Sequence, residues 1–390
     1  MKWLFAYDHK FFRKGQQFFS KQAFPYEMWQ RYLEHCDDLI VTGRIQKLNE
    51  NDTNYSLSSG NQLTFINIPD ASNLGYFLPD NAAETALVKE IKKVDAVIAR
   101  IPSQIGYLAV KVAQQLNKPY AVEIVGDPKE SYRFHGNWKA KLYAPLATRT
   151  MKKVVKTAPF ALYITEKELQ KLYPTKGIQT ACSNVELTHF ADELSIDKRK
   201  ERDLKNKVTF GMIGSLDSNY KGLDIALQAL ATIKSTIPEF EFRVLGSGMS
   251  SKWQKLVDEL QLKDNVVFCG TMPAAEVFDW LKDIDIYLQP SRTEGQGRSV
   301  IEAMAMGCPA ITSNVGGMKE LTDDRMRFPN GDEQELAKII QLLLENNVIY
   351  QQQIVRNYQA AMDFSKEKLE EKRKIYYKKF MDWIEENEKR

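Results

Sequence analysis

Along the whole chain, short β-rich apolar runs alternate with longer amphipathic ones. A strand running parallel to its neighbour needs a crossover, and the usual crossover is a helix. The alternation therefore predicts parallel sheets covered by helices. In the first half the spacing predicts strands near Trp3–Tyr7, Leu39–Thr42, Leu63–Ile66, Ala96–Ala99, Tyr120–Ile124 and Ala161–Ile164, with helices at Ala82–Lys92 and Gly106–Leu116. A second series opens at Val208–Ile213 and runs through Phe240–Leu245, Val266–Phe268, Ile284–Leu288 and Ala310–Thr312. Between the two, Ala191–Asn206 is dense in charge and poor in apolar residues, which reads as a linker. A chain of 390 residues is long enough for two domains. The expectation is an α/β fold of two Rossmann-like domains, residues 1–195 and 206–365, with parallel sheets facing a cleft. Ligands of such open sheets sit off the carboxyl ends of the strands. The tail, Lys366–Arg390, reads as an amphipathic helix with Leu369, Ile375, Tyr376, Phe380, Trp383 and Ile384 on its apolar side. Packing across the domains is one use for such a helix; anchoring to a membrane or a partner is the other.

Composition narrows the function classes. The chain is 43% hydrophobic and 27% charged, which fits a globular protein and not a disordered one. A formal net charge of +3 gives no reason to expect nucleic acid as a partner. Cys36, Cys182, Cys269 and Cys308 are widely spaced with no CxxC pair, so free thiols in a reducing compartment fit better than a disulfide or a metal site. His35, His135 and His189 have no metal-ligand spacing. No apolar run is long enough to span a bilayer, and the N-terminus turns polar too soon for a signal peptide, so the expected location is the cytoplasm. One stretch is strongly basic: Lys139, Lys141, Arg149, Lys152, Lys153 and Lys156, interleaved with Trp138, Leu142, Tyr143 and Met151. It is either a solvated helix face or a surface that docks on anionic headgroups or a polyanionic acceptor.

Chemistry concentrates in the second half. The run Ile284–Leu288 leads into Gln289–Pro290–Ser291–Arg292–Thr293–Glu294–Gly295–Gln296–Gly297, and an amphipathic run with Glu302 follows. That order is strand, glycine loop, helix. The free N–H groups and positive dipole end of the new helix favour an anion such as a diphosphate. Carboxylates beside it accept hydrogen bonds from sugar hydroxyls. Taken singly, Glu294 is equally a solvated loop acid and Glu302 a solvated helix acid. A second strand–loop–helix turn, Gly211–Gly222, contains Gly214, Ser215 and Lys221; it is a plausible anion cradle or an ordinary turn with a surface lysine. Leu245–Gly246–Ser247–Gly248 is a third such turn. In the first half, Asp127 follows a strand and precedes Pro128, either as a turn residue or as a polar contact to a ligand. Arg100, before Ile101–Pro102, is a cleft contact or part of a structural turn, and the group Asp8, His9, Lys10, Arg13, Lys14 and Gly15, after the first strand, faces an acceptor or forms an ordinary surface loop.

The matches at Ser291, Glu294, Gly295, Gly297, Glu302, Ala303, Met304, Ala305, Gly307 and Pro309, with Gly316, Gly317 and Glu320 beyond them, resemble the retaining GT-B glycosyltransferases of glycosyltransferase family 4 (group 1). The likeness is close from Val208 to about Leu321 and loose in the first half. It implies a nucleoside-diphosphate sugar bound as substrate in the second domain, with no cofactor and no catalytic metal. Glu294 would contact donor sugar hydroxyls, Glu302 the ribose hydroxyls, Gly295, Gln296 and Gly297 the sugar and diphosphate through their N–H groups, and Lys221 the phosphates. The family usually has an arginine where this chain has Ser215, so Arg298 or Arg292 is the candidate second cation. Many members carry a histidine where Gly126–Asp127 stands, which makes Asp127 a candidate catalytic residue and His9, Arg13 and Arg100 acceptor-side candidates. The implied acceptor is a saccharide or lipid-linked saccharide at the inner face of the membrane. Two rivals stay open: an epimerase or phosphorylase on the same architecture, and a non-catalytic protein that binds nucleotide sugars.

Overall fold

The computed structural model describes residues 1–21, 23–48, 55–69, 82–130 and 138–388, without the side chains of residues 138–142, 387 and 388. His135 and the side chains of Trp138, Lys139, Lys141 and Leu142 lie outside the described set. The chain forms two compact units, Met1–Cys182 with Glu370–Arg390, and Ser183–Leu369.

Among the described residues the first unit is built on nine strands: β1 (Lys2–Lys14), β2 (Gln17–Ser20), β3 (Asp38–Lys47), β4 (Ser56–Leu57), β5 (Leu63–Asn67), β6 (Ala96–Ile101), β7 (Tyr120–Ile124), β8 (Phe160–Tyr163) and β9 (Ile178–Ala181). Its parallel part runs β5-β3-β1-β6-β7-β8-β9. Every residue of β6, β7 and β8 is buried, which is why these strands read as continuous and not alternating runs. The first strand is longer than its sequence predicts. It passes Tyr7, shifts register against β3 between Ala6 and Lys10, and turns at Gly15 (φ +59°) into antiparallel β2. Phe11 explains the extension: it is 1% exposed and packs on Phe24, Trp29 and Phe65. His9 and Arg13 are therefore strand residues, not loop residues.

The second unit holds β10 (Lys207–Ile213), β11 (Glu239–Leu245), β12 (Val266–Gly270), β13 (Ile286–Gln289), β14 (Ala310–Ser313) and β15 (Arg327–Phe328), all parallel, in the order β12-β11-β10-β13-β14-β15. Counted from its own first strand, the order is 3-2-1-4-5-6, the doubly wound arrangement. Its direction of winding reverses between β10 and β13.

The expected linker is a helix in part. Glu193–Lys200 is helical, and the Asp192 side chain caps it by accepting from Ser195 N at 2.6 Å. Its charges face solvent, except that Arg199, 3% exposed, donates to the carbonyls of Leu281, Lys282 and Ile284. The Asp192–Ser195 spacing is the sequence signal that charge density obscured.

The last helix, Lys366–Glu388, buries Leu369, Arg373, Tyr376, Tyr377, Phe380 and Ile384. That stripe keeps the three- and four-residue spacing of a helix face, and Ile375, expected on it, falls outside and is 48% exposed. Tyr377 and Phe380 pack on Trp3, with ring centroids 6.1 and 5.6 Å away. Among the described residues no helix is long and apolar enough to cross a membrane.

Candidate functional site

Each unit places a helix start at the point where its sheet reverses direction, and the two starts are answered differently. In the first unit the helix Gln104–Gln115 receives the chain's own carboxylate. Asp8 Oδ2 accepts from Gln104 N at 2.6 Å, and Asp8 Oδ1 pairs with Arg44 at 2.9 Å. In the second unit the helices Leu223–Ile233 and Arg298–Ala305 begin at Gly222 and Gly297, and neither has a side-chain cap. Both follow strands that flank the reversal, β10 and β13. Helix starts of this kind attract anions, and the crevice outside the carboxyl ends is the ordinary ligand position.

Close backbone contacts stitch the loops at that edge together. Arg292 N donates to Tyr220 O at 2.7 Å, Leu216 N to Ser247 O at 2.8 Å and Gly317 N to Gly295 O at 3.1 Å. Two glycines are required by these approaches. A Cβ on Gly222 (φ +74°) would stand 2.0 Å from Pro290 O, and one on Gly316 (φ +48°) 1.8 Å from Glu294 O. The Gly316–Gly317 pair thus fixes the backbone that carries Glu294. Gly214 lies against the Lys221 stem, where an added Cβ would be 2.8 Å from Lys221 Cγ.

Lys221 Nζ and Glu294 Oε2 are 2.7 Å apart, and both side chains are 15% exposed. Ser215 accepts from Asp217 N at 3.3 Å, so its hydroxyl shapes the loop. Of the two arginines proposed to replace the missing cation, Arg292 is engaged: its guanidinium bonds both Asp224 oxygens, at 2.9 and 2.7 Å. Arg298, exposed in the first turn of its helix, makes no ion pair among the described residues. Gln296 accepts from Ser183 Oγ at 2.8 Å. Burial raises the Glu302 carboxyl above its ordinary value, and Arg298 one turn earlier pulls it back. A folded-state value raised in this way means that ionised Glu302 costs folding free energy above the ordinary carboxylate range. We therefore expect Glu302→Gln to melt at a higher temperature than the native chain near pH 7. A lower melting temperature in differential scanning calorimetry would contradict this.

Behind Glu294 lies a polar chain that the sequence reading missed. Tyr287, Gln289 and Ser291 are fully buried and Ser299 nearly so. The signal was present, as polar side chains at the end of an apolar strand. Among the described residues no three His, Cys, Asp or Glu side chains are grouped to hold a metal ion.

The candidates of the first unit separate. Arg100 is 9% exposed and spent on the fold: its Nε and Nη2 both lie 2.7 Å from Glu123 Oε2, and its guanidinium rests on the rings of Phe5, Tyr7 and Phe24. The expected acceptor contact through Arg100 is thereby replaced by a buried ion pair. His9 Nε2 is 2.8 Å from Ser20 Oγ, and burial, then Arg100, lowers the imidazole to about 4, so it is neutral at pH 7. Arg13 lines an open pocket of about 530 Å³ with Lys14 and Lys47. Asp127 Oδ1 accepts from Tyr173 Oη at 2.5 Å and from Lys129 N at 2.9 Å.

Residues 207–346 match the family model "Glycosyl transferases group 1". The chain is 28% identical to Protein CapJ of Staphylococcus aureus over 388 residues, 98% of this chain and 97% of that one. It is 32% identical to the amylovoran biosynthesis glycosyltransferase AmsK of Erwinia amylovora over 130 residues, 31% of this chain and 32% of that one. Among solved structures, Anabaena Alr3699/HepE in complex with UDP superposes with a TM-score of 0.65 at 17% identity, covering 99% of both chains.

Proposed function

We propose that the chain, whose residues 207–346 match the model of the group 1 glycosyl transferases, is a GT-B glycosyltransferase that moves a sugar from a nucleoside-diphosphate sugar to a saccharide or lipid-linked saccharide, with retention at the anomeric carbon, in cell-surface polysaccharide synthesis. The observation that carries the donor reading is the pair of uncapped helix starts beside Lys221 and Glu294 at the sheet reversal. In this reading the diphosphate lies against Gly214, Ser215, Lys221 and the N–H groups of Gly295, Gln296 and Gly297. Glu294 accepts from sugar hydroxyls, Glu302 from the ribose, and Arg298 supplies the second cation. The leaving diphosphate gains charge as the glycosidic bond breaks. Lys221, Arg298 and the oriented N–H groups then stabilise the transition state more than the ground state. The HepE structures in complex with UDP and with UDP-glucose support a nucleotide-linked donor. The names of AmsK and of WcaL, a putative colanic acid biosynthesis glycosyltransferase, support a polysaccharide product.

Calorimetry with UDP-, GDP- and dTDP-linked hexoses tests the site. Glu302→Gln and Arg298→Ala are each expected to weaken the best donor by roughly tenfold or more, the worth of one charged hydrogen bond. Unchanged affinity in both variants would remove them from the site.

On the acceptor side, Asp127, His9 and Arg13 are the proposed contacts, with Arg13, Lys14 and Lys47 suited to an anionic acceptor. In this reading the reaction runs in the cytoplasm at a membrane surface. In the helix Trp138–Thr157, Arg149, Lys152, Lys153 and Lys156 are exposed at spacings that put them on one face, with Leu146, 41% exposed, one turn ahead. Such a face suits anionic headgroups. Co-sedimentation with phosphatidylglycerol vesicles should fall when Lys152, Lys153 and Lys156 are changed together to Glu. Equal retention by phosphatidylcholine vesicles would reject the electrostatic docking.

A further inference from the structure

Tyr287 and Gln289 stand on β13, with Ser291 two residues beyond it and Ser299 in the helix that follows. Their hydrogen bonds all run one way. Ile213 N donates to Tyr287 Oη at 3.1 Å, and Tyr287 Oη donates to Gln289 Oε1 at 2.8 Å. Ser299 Oγ donates to the same oxygen at 3.0 Å. Gln289 Nε2 donates to Ser291 Oγ at 2.9 Å, and Ser291 Oγ donates to Glu294 Oε2 at 3.2 Å. The amide is the element that turns the chain. Its oxygen takes two hydroxyls, its nitrogen fills a Ser291 lone pair, and the Ser291 proton is left to Glu294.

We propose that Gln289 is a positioning residue that fixes the Glu294 carboxylate for the donor sugar. This rests on Glu294 meeting that sugar, as in the function proposed above. Oε2 receives Ser291 and Lys221, whereas Oε1 accepts no hydrogen bond among the described residues. With Oε2 held, Oε1 is the oxygen presented to a sugar hydroxyl. The two ends of the chain give the amide one orientation: Ile213 N–H can only donate and the Glu294 carboxylate only accept, so an amide turned over would take the Ser291 proton and leave Glu294 Oε2 without it. Neither Leu nor ionised Glu can replace it, since neither donates to Ser291. A protonated Glu can: its carbonyl accepts from Tyr287 and Ser299, and its O–H donates to Ser291. Burial keeps such a carboxyl protonated to higher pH than usual.

The experiment is calorimetry on the full chain with UDP-, GDP- and dTDP-linked hexoses, followed by the best-bound sugar nucleotide and its bare nucleoside diphosphate against Gln289→Leu and Gln289→Glu. The expected result is that Gln289→Leu binds the sugar nucleotide about tenfold more weakly, while the bare nucleoside diphosphate is unchanged. Gln289→Glu should behave likewise at pH 8 and recover towards the native chain as pH falls to about 5, each value taken relative to the native chain at the same pH. Equal weakening of both ligands would mean a collapsed loop and would overturn the inference. So would unchanged binding of both, or a Gln289→Glu variant with no pH dependence. If the native chain binds none of the three donor classes, the donor site itself fails and this inference falls with it; that outcome is distinct from the others.

Discussion

Glu294→Ala should bind a bare nucleoside diphosphate more tightly than the native chain while transferring sugar about ten- to a hundredfold more slowly. The two signs follow from one contact. Without ligand, Lys221 is neutralised by Glu294 at 2.7 Å, with both side chains 15% exposed. Bringing a diphosphate to Lys221 means sharing that charge with a carboxylate that repels the newcomer. Removing Glu294 removes the repulsion and leaves Lys221 to the phosphates. The same change removes the acceptor proposed for the sugar hydroxyl, and a hydrogen bond to a charged group is worth about 1.5–3 kcal/mol, which sets the size of the rate loss. UDP titrated by calorimetry, with turnover of the best donor followed in parallel, separates the effects. Weaker UDP binding in the variant, or undiminished turnover, would show that Lys221 and Glu294 do not divide the donor in this way.

The second large effect lies away from the chemistry. Glu123 is 4% exposed and gathers three partners: Arg100 at 2.7 Å, Tyr32 Oη at 2.6 Å and Tyr377 Oη at 2.5 Å. Through Tyr377 the last helix is bonded to β7. Glu123→Ala strands a buried guanidinium and two hydroxyls, and breaking a buried pair from one side costs about 3–5 kcal/mol. The melting temperature of the first unit should fall by roughly 10 °C. The double substitution Arg100→Met with Glu123→Leu should regain part of that, because no charge is left unpaired. Burial alone would raise the Glu123 carboxyl, but Arg100 and the hydroxyl donors outweigh it and hold it below its ordinary value. A carboxyl lowered on folding contributes stability above its unfolded value, about 4.3, and loses that contribution as pH falls through the folded value. The native chain should therefore lose this stability in acid below about pH 4, and Glu123→Gln should not show that step. A Glu123→Ala chain melting within a degree or two of the native one would dismiss the network as a source of stability.

Most strands and helices were legible because their periods are local. The apolar runs of β6, β7, β10 and β13 announce buried parallel strands, and Gly307, at φ +71°, closes the helix Arg298–Ala305. The errors share a cause. His9–Lys14 looked like a loop because its mix of charge and aromatics has no local period, yet Phe11 finds its partners in residues distant along the chain. Glu193–Lys200 looked like a linker because the acceptors of Arg199 lie more than eighty positions away. Arg100 looked like a site residue for the same reason, since its anion is on another strand. The segment from Ser291 to Glu302 was legible as a candidate ligand site because strand, glycine loop, helix start and carboxylates are contiguous.

The amino-acid order by itself determined the two α/β units, the family likeness of the second and the residues around which a donor would gather. Periodicity and contiguous spacing are written along the chain, so no folding is needed to read them. Only the tertiary structure decided which of three similar helix starts are open. It capped the first with Asp8, left Gly222 and Gly297 uncapped, spent Arg292 on Asp224, and linked Gln289 to Glu294 through Ser291. Those choices depend on which charges and hydrogen-bond partners meet across strands, and sequence spacing carries no record of that meeting.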